Sequence, residues 1–340
     1  MLMKKTMKAL QITGYGNLSK KLRFQECPIP EYGENDVFIK VKAASFNPID
    51  FKMVKGYTRI LRKIQFPATI GYDVAGVVQA VGSKVTRFKE GDEVFASVDY
   101  LRQGTIAEYA VSSEATFALK PSNFSFEEAA TIPLVGLTTY QAFQMAKLKA
   151  GQKVLIHAGS GGVGTFAIQY AKALGAIVYT TTSTSNLSWV KQLGADHVYD
   201  YTAENYLDHL ADIDFVYDTV GKHYTTEAFQ VLKQGGAVIN LPGLFIDRQS
   251  QLELGLSPLL RPVFALLGLR IRHLIKSKKA LYRFLLMSTN GKDLEQIVRL
   301  IEAGKIKAVI DSVYKFEEAI QALEKLKKGH SKGKIVITMK

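Results

Sequence analysis

Cysteine is almost absent: Cys27 is the only one in 340 residues. The chain therefore has no internal disulfide and no structural zinc site made from three or four thiolates. No run of about twenty apolar residues and no signal-peptide pattern opens it, so the sequence points to a cytoplasmic protein without stable membrane insertion. Acid is scarce too, with 31 Asp and Glu against 44 Lys and Arg and a formal net charge of +13. That excess favours anionic ligands. The basic residues are nevertheless dispersed, and none of their clusters is interleaved with aromatics, so no nucleic-acid partner is expected. What is present is an ordinary globular composition, 47% hydrophobic and 22% charged. A disordered chain is excluded, and the length suits about two domains.

Up to about residue 125 the pattern is short β-type runs, at 37–44, 74–81, 93–98 and 105–111, broken by Gly82-Ser83, Gly91-Asp92 and Gly104. This predicts a mostly antiparallel β domain. Ser125-Phe-Glu-Glu128 then has the spacing of a capping box and opens a helical stretch before Pro133. From Lys153 apolar strands at 153–158, 177–182, 197–199, 215–220, 237–241 and 281–287 alternate with helices at 165–174, 187–193, 225–233 and 293–303. That is the rhythm of an α/β parallel sheet. The last strand, 334–338, is expected to rejoin the first domain. The apolar stretch 252–275 carries Pro258, Arg261 and Pro262, which argue for a lobe of short helices rather than a membrane span. Either a hydrophobic lid over a substrate cleft or a weak membrane-surface contact suits it.

The most informative segment is Lys153-Val-Leu-Ile-His-Ala-Gly159-Ser160-Gly161-Gly162-Val163-Gly164. A strand runs into Gly-x-Gly-x-x-Gly, a helix follows, and a second strand begins at Ile177, which is the setting of a dinucleotide fingerprint. Missing side chains let the backbone approach a pyrophosphate, and the free N–H groups of the helix start meet its charge. The end of the second strand reads Tyr179-Thr-Thr-Thr-Ser183, with no acid to hold an unphosphorylated ribose. Hydroxyls there favour NADP(H) over NAD(H). Ser183 serves equally well as a helix N-cap.

These pieces, together with Asn47-Pro-Ile-Asp50, Lys52, Gly71-Tyr-Asp-Val-Ala-Gly76, Gly91-Asp-Glu-Val94, Leu193-Gly-Ala-Asp196, Asp218-x-Val-Gly221 and Gly333-Lys-Ile-Val336, resemble the medium-chain dehydrogenase/reductase superfamily, specifically its zinc-free quinone and enone oxidoreductases. The resemblance covers almost the whole chain. It implies a β-rich GroES-like catalytic domain over 1–126 with 292–340, and a Rossmann doubly wound parallel-sheet cofactor domain over 127–291. In zinc-dependent members cysteine, histidine and an acid hold the metal; the matching positions here look like Asn47, Tyr72 and Asp73, and the four-cysteine lobe is missing. No metal is expected, since Asn and Tyr are poor zinc ligands. His157, His197, His209, His223, His273 and His330 are scattered and suit structural or surface roles.

The resemblance further implies that Asn47 and Lys52 face the cleft between domains, Asn47 as amide donor and Lys52 as charge toward a developing oxyanion, with Tyr57 or solvent giving a proton. Lys52 alternatively binds only the cofactor, and Asn47 alternatively only forms a turn before Pro48. For the cofactor it adds Thr138 at the nicotinamide end, Ser183, Asn186 and Tyr201 near the adenosine 2′-phosphate, Gly221, Leu241 and Gly243 along the cleft, and Lys334 toward a phosphate; Tyr201 alternatively only packs at the surface, and Lys334 alternatively is a solvated surface lysine. Asn186 stands where related NADPH enzymes often carry lysine. The expected activity is NADPH-dependent reduction of a small quinone or α,β-unsaturated carbonyl without zinc. Reduction of an enoyl thioester or lipid-like enone, and a non-catalytic NADPH-bound sensor, are the alternatives. A homodimer joined near residues 281–287 is the implied assembly.

Overall fold

The computed structural model describes residues 5–59, 63–99, 104–243 and 245–339. Two compact units divide the chain: Met1–Leu137 with Ser288–Gly304 and Ala308–Lys340, and Thr138–Met287 with Lys305–Lys307.

The first unit opens with β1 (Thr6–Ile12), β2 (Leu22–Pro28), β3 (Asp36–Phe46), β4 (Ala68–Thr69), β5 (Asp73–Val81), β6 (Glu93–Ser97), β7 (Tyr109–Ser113) and β8 (Phe117–Leu119). Alternation sets the faces: along β3, Val37, Ile39 and Val41 are buried while Lys40 and Lys42 reach solvent. Each such apolar side chain contributes about 1.5–3 kcal/mol when fully buried. Tyr109, rather than Thr105, starts β7. The backbone of Ile106 is committed to Ile70 O at 2.9 Å and to Leu10 N at 2.8 Å, so it bridges other strands before the ladder with β3 begins. The helix Phe126–Ala130 starts on the expected capping box, with Ser125 and Glu128 exchanging side-chain bonds to each other's amide.

The second unit is built on β9 (Lys153–Ile156), β10 (Ile177–Thr182), β11 (His197–Asp200), β12 (Ile213–Asp218), β13 (Leu232–Asn240) and β14 (Leu281–Phe284). They pair in the order β11-β10-β9-β12-β13-β14, all parallel, which is the doubly wound arrangement. Residues 252–275 fall in short helices, including Arg261–Leu267 and Leu269–Lys278. After this unit the chain returns: β15 (Ile310–Lys315) lies parallel to β16 (Lys334–Thr338), and β16 pairs antiparallel with β3. The first unit is thus GroES-like and β-rich, closed by a strand from the far end of the chain.

Candidate functional site

Strand register assembles the polar cluster of the first unit. Ile335 of β16 lies opposite Phe46 of β3, and Asp73 of β5 lies opposite Ser45, so Lys334, Asn47 and Asp73 stand at three adjoining strand ends. Pro48 follows Asn47 as the first residue of the helix Pro48–Val54, a position that needs no amide donor. Asp50, in that helix's first turn, accepts the Asn47 N–H at 2.6 Å through Oδ2.

All four polar residues are buried. The Lys334 Nζ donates to Phe46 O at 3.0 Å, to Asp73 Oδ2 at 3.1 Å and to Asn47 Oδ1. Because the ammonium claims Oδ1, the Asn47 carboxamide must present Nδ2 on its other side, where it donates to Asp73 Oδ2 at 2.9 Å. Asp73 also accepts the Leu134 N–H at 2.8 Å and faces the Ser45 hydroxyl at 3.2 Å. Burial pushes the Asp50 carboxyl up to about 7, against the Asn47 N–H and the Lys334 charge and with help from Asp73.

Lys334 corrects one expectation. Its ammonium is neither solvated at the surface nor extended toward a phosphate; three acceptors of the first unit hold it in the interior. Lys52, on the same helix as Asp50, is half-buried, and its ammonium has no hydrogen-bond or ion-pair partner among the described residues; desolvation lowers its pKa. Tyr57 is 72% exposed just beyond that helix.

In the second unit the glycine loop joins β9 to the helix Gly162–Ala173, with Gly161 as its N-cap. Its glycines differ in purpose. A Cβ on Gly159 would fall 2.3 Å from the Thr180 Oγ1, and one on Gly164 2.3 Å from Ala158 O, so those two permit close helix–strand packing. A Cβ on Gly161 would meet only Ala158 O, at 3.5 Å, and Gly161 has an ordinary φ of −77°. The protein's own packing does not require glycine there. The space it leaves lies by the helix's first amides, at Gly162 and Val163, which have no acceptor among the described residues, and beside Ser160; it fits a pyrophosphate.

Thr138 is buried near the start of the helix Pro133–Ala146. At the end of β10, Ser183 is half-exposed and accepts from Asn186 Nδ2 at 3.0 Å, while Asn186 Oδ1 accepts from Trp189 Nε1 at 3.1 Å. Tyr201 is brought alongside by its N–H on Thr182 O at 3.1 Å. Asn186 therefore orients Ser183 instead of supplying charge. Asp200, at the end of β11, is satisfied by the hydroxyls of Thr184 at 2.5 Å and Thr202 at 2.6 Å, which hold its pKa below the usual carboxylate range.

The loops after β12 and β13 share one acceptor, Asp218. It receives the N–H groups of Val220 and Gly221 at 3.1 and 2.8 Å, and the Thr225 hydroxyl and Asn240 Nδ2, each at 2.6 Å. Asn240 in turn accepts from Gly243 N at 2.6 Å, and Leu241 N bonds Asp218 O at 3.0 Å. His157, fully buried, faces Asp218 with Nδ1 at 3.4 Å. Burial alone would raise Asp218; His157, Thr225 and the Gly221 amide outweigh it and hold the carboxyl at about 2. Sequence reasoning named Gly221, Leu241 and Gly243 and expected a structural or surface role for His157, but missed Asn240 and Thr225. Their signal exists only as an Asp218-to-Asn240 pairing across two neighbouring strands.

A GroES-like unit with a buried polar cluster, joined in one chain to a doubly wound sheet with an open glycine loop, defines a nicotinamide-dependent oxidoreductase. Family models agree: the alcohol dehydrogenase GroES-like domain matches residues 33–122 and the zinc-binding dehydrogenase domain residues 193–337. The 2-methylene-furan-3-one reductase of Solanum lycopersicum is 37% identical over 97% of this chain and 79% of its own length. The NADPH-dependent alkenal/one oxidoreductase of Arabidopsis thaliana chloroplasts is 35% identical over 98% and 80%. The structure of the quinone oxidoreductase from Coxiella burnetii superposes with a TM-score of 0.85, at 33% identity and covering 99% of this chain and 100% of that one. The chain belongs to the medium-chain dehydrogenase/reductase superfamily, in its quinone and enone oxidoreductase branch.

The zinc in the second model's description does not fit these residues. Asp73 is already engaged through both oxygens, Asn47 is a weak ligand, and a lysine ammonium occupies the common ground between them. Among the described residues no three His, Cys, Asp or Glu are grouped to hold a metal.

Proposed function

We propose that this oxidoreductase passes a hydride from NADPH to quinones or α,β-unsaturated carbonyls without zinc. The observation that carries the reading is the Lys334 ammonium lodged between Asn47 and Asp73, a fixed positive charge where a zinc-dependent relative requires its metal. When bound, reduced nicotinamide supplies two electrons and a hydrogen to the acceptor, which is left as an anion needing one proton. Simple alcohol chemistry would need a Lewis acid for its alkoxide, whereas an enolate or hydroquinone anion needs only donors and that proton.

The placement of these residues supports the following roles. Lys334 and Asp73 fix the Asn47 carboxamide, whose second Nδ2 hydrogen has no acceptor among the described residues and serves the acceptor oxygen. Lys52 adds an uncommitted ammonium, and Tyr57 or water delivers the proton. Gly159, Ser160, Gly161, Gly162, Val163 and Gly164 hold the pyrophosphate. Ser183, set by Asn186, and Tyr201 meet the 2′-phosphate, while Thr138, Gly221, Leu241 and Gly243 border the nicotinamide half. A reducing, cytoplasmic setting suits the single half-buried Cys27. Two copies join through the outer strand β14, which sedimentation equilibrium checks.

The test is NADPH oxidation with a panel of quinones, alkenals and enoyl thioesters, on protein whose metal content is measured. Turnover with quinones or alkenals that survives chelation supports the reading. No oxidation with any acceptor, or a stoichiometric metal whose removal abolishes turnover, overturns it.

A further inference from the structure

The helices following β13 display an apolar face that the fold does not use. Their inner side is anchored: Ile271 joins the core with Leu274 and Ile275 beside it, the Lys278 Nζ donates to Leu232 O at 2.6 Å, and Gly268 lies so close under Phe245 that a Cβ would come within 2.1 Å of the ring. The outer side is not covered. Leu259 is 86% exposed and Leu266 69%, with Val263, Leu267 and Leu269 also exposed. Val263, Leu266 and Leu267 share one face of the helix Arg261–Leu267, spaced at i, i+3 and i+4.

Charge accompanies this face. Between residues 258 and 279 the chain places Arg261, Arg270, Arg272, Lys276, Lys278 and Lys279 and no acidic residue. Arg270, Lys276 and Lys279 are exposed, and their side chains make no hydrogen bond or ion pair among the described residues. We propose that this lobe is a docking surface for the anionic headgroups of a phospholipid bilayer, its leucines entering the headgroup–acyl boundary and its cations meeting lipid phosphates and carboxylates. The combination of exposed large apolar side chains with a one-signed basic rim is what interfacial association requires.

Other occupants satisfy only half of it. A second copy of the lobe packed isologously would bring the exposed Arg270, Arg272, Lys276 and Lys279 against the same four with no acid from residues 258–279 between, on a chain whose net charge is already +13. A soluble polyanion would neutralise the cations and leave the leucines in water. No helix among the described residues is long and apolar enough to cross a membrane, so the contact is with the surface.

The proposal stands apart from the reductase reading and is tested on the full chain by co-sedimentation with phosphatidylcholine vesicles and with mixed phosphatidylcholine–phosphatidylserine vesicles. The chain is expected to partition onto the anionic vesicles, and raising salt to weaken that by about tenfold or more. The variants R270E/K276E and L259S/L266S should each lower partitioning by about tenfold or more. L259S/L266S should leave binding to a single-stranded homopolymer RNA unchanged. Failure of the wild-type chain to bind anionic vesicles overturns the proposal whatever the variants do. So does equal retention on neutral vesicles, undiminished partitioning of L259S/L266S, or size-exclusion chromatography showing a wild-type dimer that L259S/L266S converts to monomer.

Discussion

Lys334 lies 287 positions from Asn47 in the chain, yet its ammonium decides how that carboxamide is oriented. It also neutralises Asp73, whose side chain has no exposure at all. Removing one member of such a pair strands a buried charge. Lys334→Met should therefore destabilise the protein by about 3–5 kcal/mol in urea unfolding, and adding Asp73→Asn should recover most of that loss. Lys52 answers differently, because its charge neutralises nothing. Lys52→Met should leave stability nearly unchanged and lower kcat by about one to three orders of magnitude. If the charged form acts, wild-type kcat falls as pH rises through a pKa below the ordinary lysine value, and the variant lacks that limb in its pH–rate profile. Gly161→Val tests the open space at the helix start. The backbone there tolerates a side chain, so the unfolding midpoint should hold while NADPH affinity, read by fluorescence titration, falls by on the order of tenfold or more.

Among elements, the helix Pro48–Val54 carries a pH-dependent cost. The Asp50 carboxyl titrates near 7 in the fold and near 3.8 when unfolded, so the native state keeps a proton that the unfolded chain has already released. Stability attributable to this group is highest below pH 4, declines as pH rises toward 7, and stays low above it. Asp50→Asn, which can still accept the Asn47 N–H, should gain on the wild type over that window by up to about 4 kcal/mol, measured by denaturant unfolding from pH 4 to 8. The glycine loop, β10 and β16 were all legible in the sequence, because a strand–glycine–helix succession and short apolar runs are local signals. β1 and β2 were not. β2 leaves most of its residues exposed along one edge of a small sheet, and its pattern does not alternate clearly enough to announce a strand.

For the whole molecule, the hydroxyls of Thr182 and Ser183 at the end of β10, with Asp200 already bonded by Thr184 and Thr202, predict a cofactor preference. NADPH at about 100 times its Kd should stabilise the fold by roughly 2.7 kcal/mol, and NADH at the same concentration by less, seen as a smaller rise in unfolding temperature. Residue types and local order had already announced much of this protein: a β-rich part followed by a parallel α/β part, a glycine loop between strand and helix, and the lineage. Tertiary structure alone decided that Lys334 turns inward to Asn47 and Asp73, and that Asp218 ties two loops together through Asn240. The reason is geometric: each of these contacts joins residues from different elements, and parallel crossovers and a returning terminal strand set their distances independently of sequence separation.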